Sequence, residues 1–276
     1  MDLTDELAFA VQLADLADAM TLPYYTKRAF TVDRKPDSTE VTEADRNTER
    51  VLRAAVAERF PEHGFLGEEA GVSGNLMSPW RWIVDPIDGT SNFVRGIPVW
   101  ATLIALSHAD HGPVVGVVSA PTMMRRWSGA LGSGAHVNGL PMRVSTISTL
   151  AEAQVCVTFS TGWDALGLTP RLVQLQQAAY RCRGFGDFWQ HMLVAEGAVE
   201  IAVDAIGVQP YDLAAVQVIV EQAGGTFTDR LGARTYESNS AVSSNGLLHS
   251  DVITRLAPSP PSRPHTRSEV RRLPRQ

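Results

Sequence analysis

The chain has 276 residues, 44% hydrophobic and 20% charged, with a formal net charge of −6. This suits a globular protein of one large domain or two joined halves, and the negative charge gives no electrostatic support for nonspecific binding to nucleic acid or an anionic membrane. No apolar run approaches the ~20 residues of a membrane span.

The acidic start, Met1-Asp2-Leu3-Thr4-Asp5-Glu6, lacks the basic region of a secretion signal. Cys156 and Cys182 have no metal-ligand spacing and read as reduced thiols. The expectation is a cytoplasmic protein.

In chain order, Leu7, Val11, Ala14 and Leu16 give helical periodicity from Leu3 to Met20. A second helix runs from about Thr42 to Phe60 and stops at Pro61, with Thr42 and Asp45 as a capping pair. Trp82-Ile83-Val84 is a short buried strand leading into Asp85. Val99 to Leu106 and Val114 to Ser119 form a hairpin turning at Asp110-His111-Gly112, and Arg126 to Ala130 extends that sheet. Asn138-Gly139 marks another tight turn.

The second half reads as a strand at Val155 to Phe159, a helix at Pro170 to Ala179 and a strand at Tyr180 to Arg183. A helix from Asp187 to Glu196 follows, then a strand at Val199 to Val203. The last predicted helix, Asp212 to Ala223, ends at Gly224-Gly225. Strands mixed with helices in both halves predict a layered α/β protein over residues 1–256, divided at about 145/146. Residues 257–276 are rich in proline, with five arginines and one glutamate. They are too poor in apolar residues to pack and read as a disordered tail.

Candidate chemistry centres on Asp85-Pro86-Ile87-Asp88-Gly89-Thr90. A strand delivers two carboxylates three residues apart, Pro86 stiffens the backbone between them, and Gly89 permits a tight bend. Alone, the pattern reads more readily as an acidic turn than as hard oxygen ligands for a Mg2+-like ion. Glu68-Glu69 ends an apolar run. Asp45 and Asp212 lie in first helical turns, where the dipole favours acids in any case. If all these acids converge, they cannot all stay ionised without cations.

The ordered set Lys35-Pro36-Asp37, Val41-Thr42-Glu43-Ala44-Asp45, Gly67-Glu68-Glu69, Asp85 to Phe93 and Tyr211-Asp212-Leu213-Ala214-Ala215 resembles the inositol monophosphatase family over about residues 5–256. The resemblance implies an αβαβα sandwich of the inositol monophosphatase / fructose-1,6-bisphosphatase type. It also implies a homodimer, two or three Mg2+ ions per subunit and a small phosphate ester as substrate, hydrolysed by metal-activated water. Glu68, Asp85 and the Ile87 carbonyl would hold one ion; Asp85, Asp88 and Asp212 would hold a second; Glu68 would reach a third through water. Asp45 and Thr90 would orient and deprotonate the attacking water. The phosphate would lie against Glu68, Ile87, Asp88, Gly89, Thr90 and Asp212, with backbone N–H groups from Gly89 and Thr90.

Within the family, Arg183-Gly184-Phe185-Gly186-Asp187-Phe188, Asn92 to Ala101 and Val117 to Pro121 are similar to the actinobacterial histidinol-phosphatase branch. Histidinol phosphate carries an ammonium and an imidazole. Asp187 either pairs with that positive end or caps the following helix; Arg183 either shapes the pocket or holds Asp187. Ala205 stands where inositol phosphatases carry a glutamate, with Asp204 beside it. The histidines show no zinc-ligand spacing, and His191 is expected in the core or on the surface more than in the pocket. The rival readings are an inositol-1-monophosphatase or broad small-ester phosphatase, and a noncatalytic module that binds phosphorylated metabolites.

Overall fold

The structure, a computed structural model, describes residues 1–36 and 39–257. Asp37 and the predicted tail from residue 258 onward lie outside the described residues.

Helix α1 (Thr4–Lys27) runs past the predicted end at Met20 and through Pro23. A proline there removes one helical hydrogen bond. The extra turns are held from outside: Tyr24 accepts from Asn47 Nδ2 at 2.9 Å, Tyr25 donates to the Gly96 carbonyl at 2.7 Å, and Tyr25 packs on Phe93 and Trp100. Strands β1 (Val32–Arg34) and β2 (Glu40–Thr42) pair antiparallel and lead into α2 (Glu43–Arg59). The chain continues through β3 (Gly64–Gly67), β4 (Gly71–Gly74), β5 (Trp80–Asp88), α3 (Thr90–Arg95), β6 (Ala101–His108) and β7 (Gly112–Ala120). A 3-10 turn, Pro121–Met123, precedes β8 (Arg125–Ala130), β9 (Gly134–Val137) and β10 (Leu140–Met142).

The second half holds β11 (Gln154–Thr158), α4 (Gly162–Ala165), α5 (Thr169–Ala178), β12 (Arg181–Arg183), α6 (Asp187–Ala195) and β13 (Ile201–Asp204). It ends with α7 (Pro210–Gln222), β14 (Thr226–Thr228), β15 (Ala241–Ser244) and α8 (His249–Leu256). The sequence reading matches α2, β6, β7, β8, β11, α5, β12, α6, β13 and α7 within two residues and stops short on α1 and β5. It misses β1, β2, β3, β4, α3, β9, β10, α4, β14, β15 and α8. Short elements carry too few residues to show a period.

Two sheets organise the molecule. The first has the order β10-β9-β8-β7-β6-β5-β3-β4, with β3 and β5 its parallel pair. The second has the order β12-β11-β13-β15-β14, parallel on the β12-β11-β13 side. One apolar cluster joins α1 and α2 to the outer face of the first sheet through Leu13, Leu52, Trp82 and Val117. Another fills the space between the first sheet and the inner helices α6 and α7, through Leu103, Trp127, Phe188 and Ile219. A third places α5 and α8 on the far face of the second sheet through Leu172, Val155, Val203 and Val252. The order of layers is therefore αβαβα, as the resemblance implies. Trp82, Trp100 and Trp127 are fully buried, and truncating any of them to alanine should cost about 3–5 kcal/mol.

Close approach of α7 to β7 requires Gly116, because a Cβ there would meet the Ala215 carbonyl oxygen at 2.6 Å. That contact sets the depth at which α7 presents its first turn, and with it Asp212.

Candidate active site

The acidic motif is part of the sheet, not a loop after it. Strand β5 continues through Asp85 to Asp88, four residues past the predicted strand end at Val84. In a regular strand, residues three apart point to opposite faces. The register with β6 shifts between Asp85, opposite Leu103, and Asp88, opposite Ala101. Three steps on β5 thus match two on β6, and this bulge restores the two aspartates to one side. Thr102 Oγ1 donates to the Pro86 carbonyl at 2.8 Å and fixes the bulge. Beneath it, Ala44, Ile87, Phe93 and Trp100 form a closed apolar floor.

Each surrounding element adds one acid. Strand β3 runs parallel to β5 with Gly67 opposite Val84, so the next residues, Glu68 and Asp85, emerge side by side. Asp45 is in the first turn of α2, where its Oδ2 accepts from the Thr42 N–H at 2.8 Å and completes the capping box read from the sequence. Its other oxygen, Oδ1, lies 3.3 Å from Thr90 Oγ1. Thr90 Oγ1 is also 3.0 Å from the Ile87 carbonyl, so its single proton serves one acceptor at a time. Asp212 in the first turn of α7 accepts from the Gln209 N–H at 2.7 Å. Asp85 accepts from the Ile87 N–H at 2.9 Å and Asp88 from the Phe188 N–H at 2.7 Å. Four acids therefore each have a carboxylate oxygen tied to a backbone N–H.

Glu68, Asp85, Ile87, Asp88, Thr90 and Asp212 line a cleft of about 1070 Å³, together with Lys35, Glu69, Gly89, Asp187 and Tyr211, while Asp45 is fully buried behind Thr90. Asp85, Asp88 and Asp212 each place a carboxylate oxygen within 4.8 Å of the others. Glu68 stands beside this trio and is paired with Lys35 at 2.7 Å; Lys35 also bonds Glu69 at 2.7 Å. Burial works against the Lys35 ammonium, but the two carboxylates outweigh it and raise its pKa.

Burial, then Glu68, Asp88 and Asp212, push Asp85 well above the usual carboxylate range. Burial, then Asp187 and Asp212, do the same to Asp88. Asp212 rises to about 7 through burial and the nearby Glu68, against the lowering bond from Gln209. Asp45 rises to about 6 mainly through burial, and Glu69 to about 7 for the same reason. Such a cluster must take up either protons or a cation. Its donors are all hard oxygens, which fit a divalent ion of the Mg2+ type and not a thiophilic metal.

The rim beside Gly89 is built differently. Asp187 has a left-handed backbone, φ 48°, a conformation aspartate tolerates better than most residues. Its carboxylate does not cap α6. It accepts from Asn92 Nδ2 at 3.1 Å and lies against Gly89, while Asp88 takes the N–H at the start of α6. Asn92 Nδ2 also donates to the Val99 carbonyl at 2.9 Å. Asp187 rises to about 6 through burial and then the charge of Asp204.

Beside Asp187 a smaller cavity of about 220 Å³ includes Thr158, His191 and Asp204 in its wall. His191 Nε2 and Gln190 Nε2 lie 2.7 and 2.8 Å from Asp204 Oδ2, and Ser243 Oγ is 2.7 Å from His191 Nδ1. His191 is thus buried and also borders this cavity.

Arg183, expected at the pocket, is exposed on the edge strand β12 and is not part of the cleft wall. Its guanidinium donates to the Cys182 carbonyl at 2.8 Å, while the partner of Asp187 is Asn92. Sequence reading gave no role to Asn92, Gln190 or Glu49. Asn92 lies within the motif segment, and Glu49 left a signal of its own: it follows Asp45 by four residues on the stripe shared with Leu52 and Val56, an acid on an apolar face.

Residues 2–259 match the model of the inositol monophosphatase family. The chain is 46% identical over 257 residues to the histidinol-phosphatase of Mycobacterium tuberculosis, covering 91% of this chain and 98% of that one. It is 41% identical to the histidinol-phosphatase of Streptomyces coelicolor, covering 92% and 98%. Among solved structures, the Thermotoga maritima IMPase superposes with a TM-score of 0.82 at 28% identity, covering 92% of this chain and 97% of that one. The chain belongs to the inositol monophosphatase family. It is a phosphoric monoester hydrolase, not a noncatalytic binding module, and its acidic cluster is one that can bind metal.

Proposed function

Starting from that membership, we propose that the protein hydrolyses L-histidinol phosphate to L-histidinol and phosphate, a step in histidine biosynthesis, with two or three Mg2+ ions per subunit. The observation that carries this reading is the convergence of Asp85, Asp88 and Asp212 beside the Asp45–Thr90 pair, with Asp187 against Gly89 in the same cleft. Relatives named histidinol-phosphatase at 46% and 41% identity support the choice of substrate.

Glu68, Asp85, the Ile87 carbonyl, Asp88 and Asp212 are the proposed metal-holding groups. When bound, Mg2+ lowers the pKa of a coordinated water and offsets the charge of the phosphate and the departing alkoxide. Thr90 Oγ1 and Asp45 Oδ1 orient the attacking water, and Asp45 Oδ1 receives its proton. Its Oδ2 stays with the Thr42 N–H, so the carboxylate does not rotate away. Gly89, with φ 84°, turns the chain into α3, and its N–H and that of Thr90 are the proposed donors to phosphate oxygens. Positioning and charge stabilisation then supply most of the rate, without a covalent phospho-enzyme.

The Asp187 carboxylate is the proposed counter-charge for the ammonium or imidazolium of the alcohol. The same reading makes the protein a cytoplasmic homodimer. It is consistent with the unpaired thiols of Cys156 and Cys182, and no helix among the described residues is long and apolar enough to cross a membrane.

Phosphate release from histidinol phosphate, inositol 1-phosphate, fructose 1,6-bisphosphate and β-glycerophosphate with Mg2+ tests the substrate. Histidinol phosphate should have the highest kcat/KM; a higher value for inositol phosphate would overturn the assignment.

A further inference from the structure

Glu49 is one of the most deeply buried acids in the protein, 1% exposed, yet it lies outside the cleft wall. It sits one helical turn after Asp45 on the inner face of α2. Its Oε2 accepts the Glu69 N–H at 2.6 Å and its Oε1 the Ala70 N–H at 3.0 Å. Arg53 pairs with the same carboxylate and reaches the Gly71 carbonyl at 3.5 Å.

The carboxylate also presses on Gly67. A Cβ there would stand 2.3 Å from Glu49 Cδ and 2.5 Å from each carboxylate oxygen. One side chain thus occupies the space over Gly67 and binds the two amides after Glu68. The Glu68 N–H itself goes to the Val84 carbonyl at 3.2 Å, on the strand that carries Asp85. Glu68 is held on both sides, and its side chain is left to face the cleft.

The carboxylate also stabilises the fold, because its loss would leave two amides and Arg53 without their acceptor. The same contacts fix the turn that carries Glu68. We infer that Glu49 is a positioning residue: it clamps the turn at 67–70 so that the Glu68 carboxylate is presented beside Asp85, where the two would hold a divalent cation. Because Asp45 and Glu49 are successive turns of one rigid helix, α2 also sets the spacing between the water-orienting acid and Glu68. The inference rests on the proposal that Glu68 holds metal.

The test is Mg2+ binding by calorimetry to the full-length, metal-free chain, for Glu49→Gln, Gly67→Ala and Glu68→Gln, with circular dichroism to check folding. Losing a supporting group of this kind weakens metal affinity about 10- to 100-fold. The expected result is a folded Glu49→Gln chain with Mg2+ affinity at least 10-fold weaker and kcat largely recovered at saturating Mg2+, and the same loss in Gly67→Ala, whose methyl displaces the carboxylate. A merely structural role would lower the melting temperature and leave the Mg2+ constant in place. Affinity within twofold of the parent in Glu49→Gln, with a clear loss in Glu68→Gln, overturns the inference alone. An unchanged affinity in Glu68→Gln overturns the metal assignment beneath it. A Glu49→Gln chain that fails to fold assigns the residue to the fold and overturns the inference as well.

Discussion

The two walls of the cleft are built by different means. On the motif wall, Asp45, Asp85, Asp88 and Asp212 each have an oxygen fixed by a backbone N–H, at a helix start or a strand bulge. On the rim wall, Asp187 is held by Asn92, 95 positions away, and Asp204 by Gln190 and His191. The first kind of support survives most changes of neighbouring side chain, whereas the second changes with a single substitution. A fold built this way can keep its reaction while its choice of alcohol varies.

The strongest test of that contrast is on the motif wall. Asp85→Asn or Asp212→Asn should lower phosphate release by about 10³-fold or more on every ester, since metal charge stabilisation is worth several kcal/mol. A loss confined to one ester would break the comparison. Asp45→Asn should reduce kcat by about 10²- to 10⁴-fold, the range for a general base, while calorimetric Mg2+ affinity stays within a few-fold.

The rim should respond selectively. Asp187→Asn is expected to reduce kcat/KM for histidinol phosphate about 10- to 100-fold, the worth of a charge-assisted bond, with β-glycerophosphate nearly unaffected. Equal losses on both would make Asp187 a support for the Asn92 contact instead.

Both walls respond to pH in the metal-free protein. Burial pushes Asp45 and Asp187 up to about 6 and Asp212 up to about 7, all above the ordinary carboxylate value. Between about pH 4 and pH 7 the folded state therefore holds more protons than the unfolded chain, and stability falls as pH rises through that window. Urea midpoints in EDTA should be lower at pH 8 than at pH 5, and Mg2+ should reverse most of the difference. The smallest effect is expected for Arg183→Ala, within about twofold on kcat/KM, because its guanidinium bonds only the neighbouring Cys182 carbonyl among the described residues.

The same contrast explains what was legible in the sequence. The αβαβα fold followed from the motif set and from the alternation of periods, and the Thr42–Asp45 cap from residue type and spacing. The bulge between Asp85 and Asp88 was not legible, because it is defined by pairing with β6. Asn92–Asp187 and Asp204–His191 were not legible either, since both depend on how α6 meets the rest of the cleft. The continuation of α1 past Pro23 depended on Tyr24 and Tyr25 finding partners at Asn47 and Gly96. In each case local chemistry was visible and the distant partner was not.

The capping roles of Asp45 and Asp212 bear on how duplicated copies of such a chain should be read. In a descendant released from catalysis, α2 and α7 would still need an acceptor in the first turn, so aspartates at 45 and 212 would persist and say little about activity. Glu68 is different: among the described residues its carboxylate is paired with Lys35 and fixed by no backbone N–H. Disuse should therefore show first at Glu68, and that position is the one to inspect before a copy is credited with living chemistry.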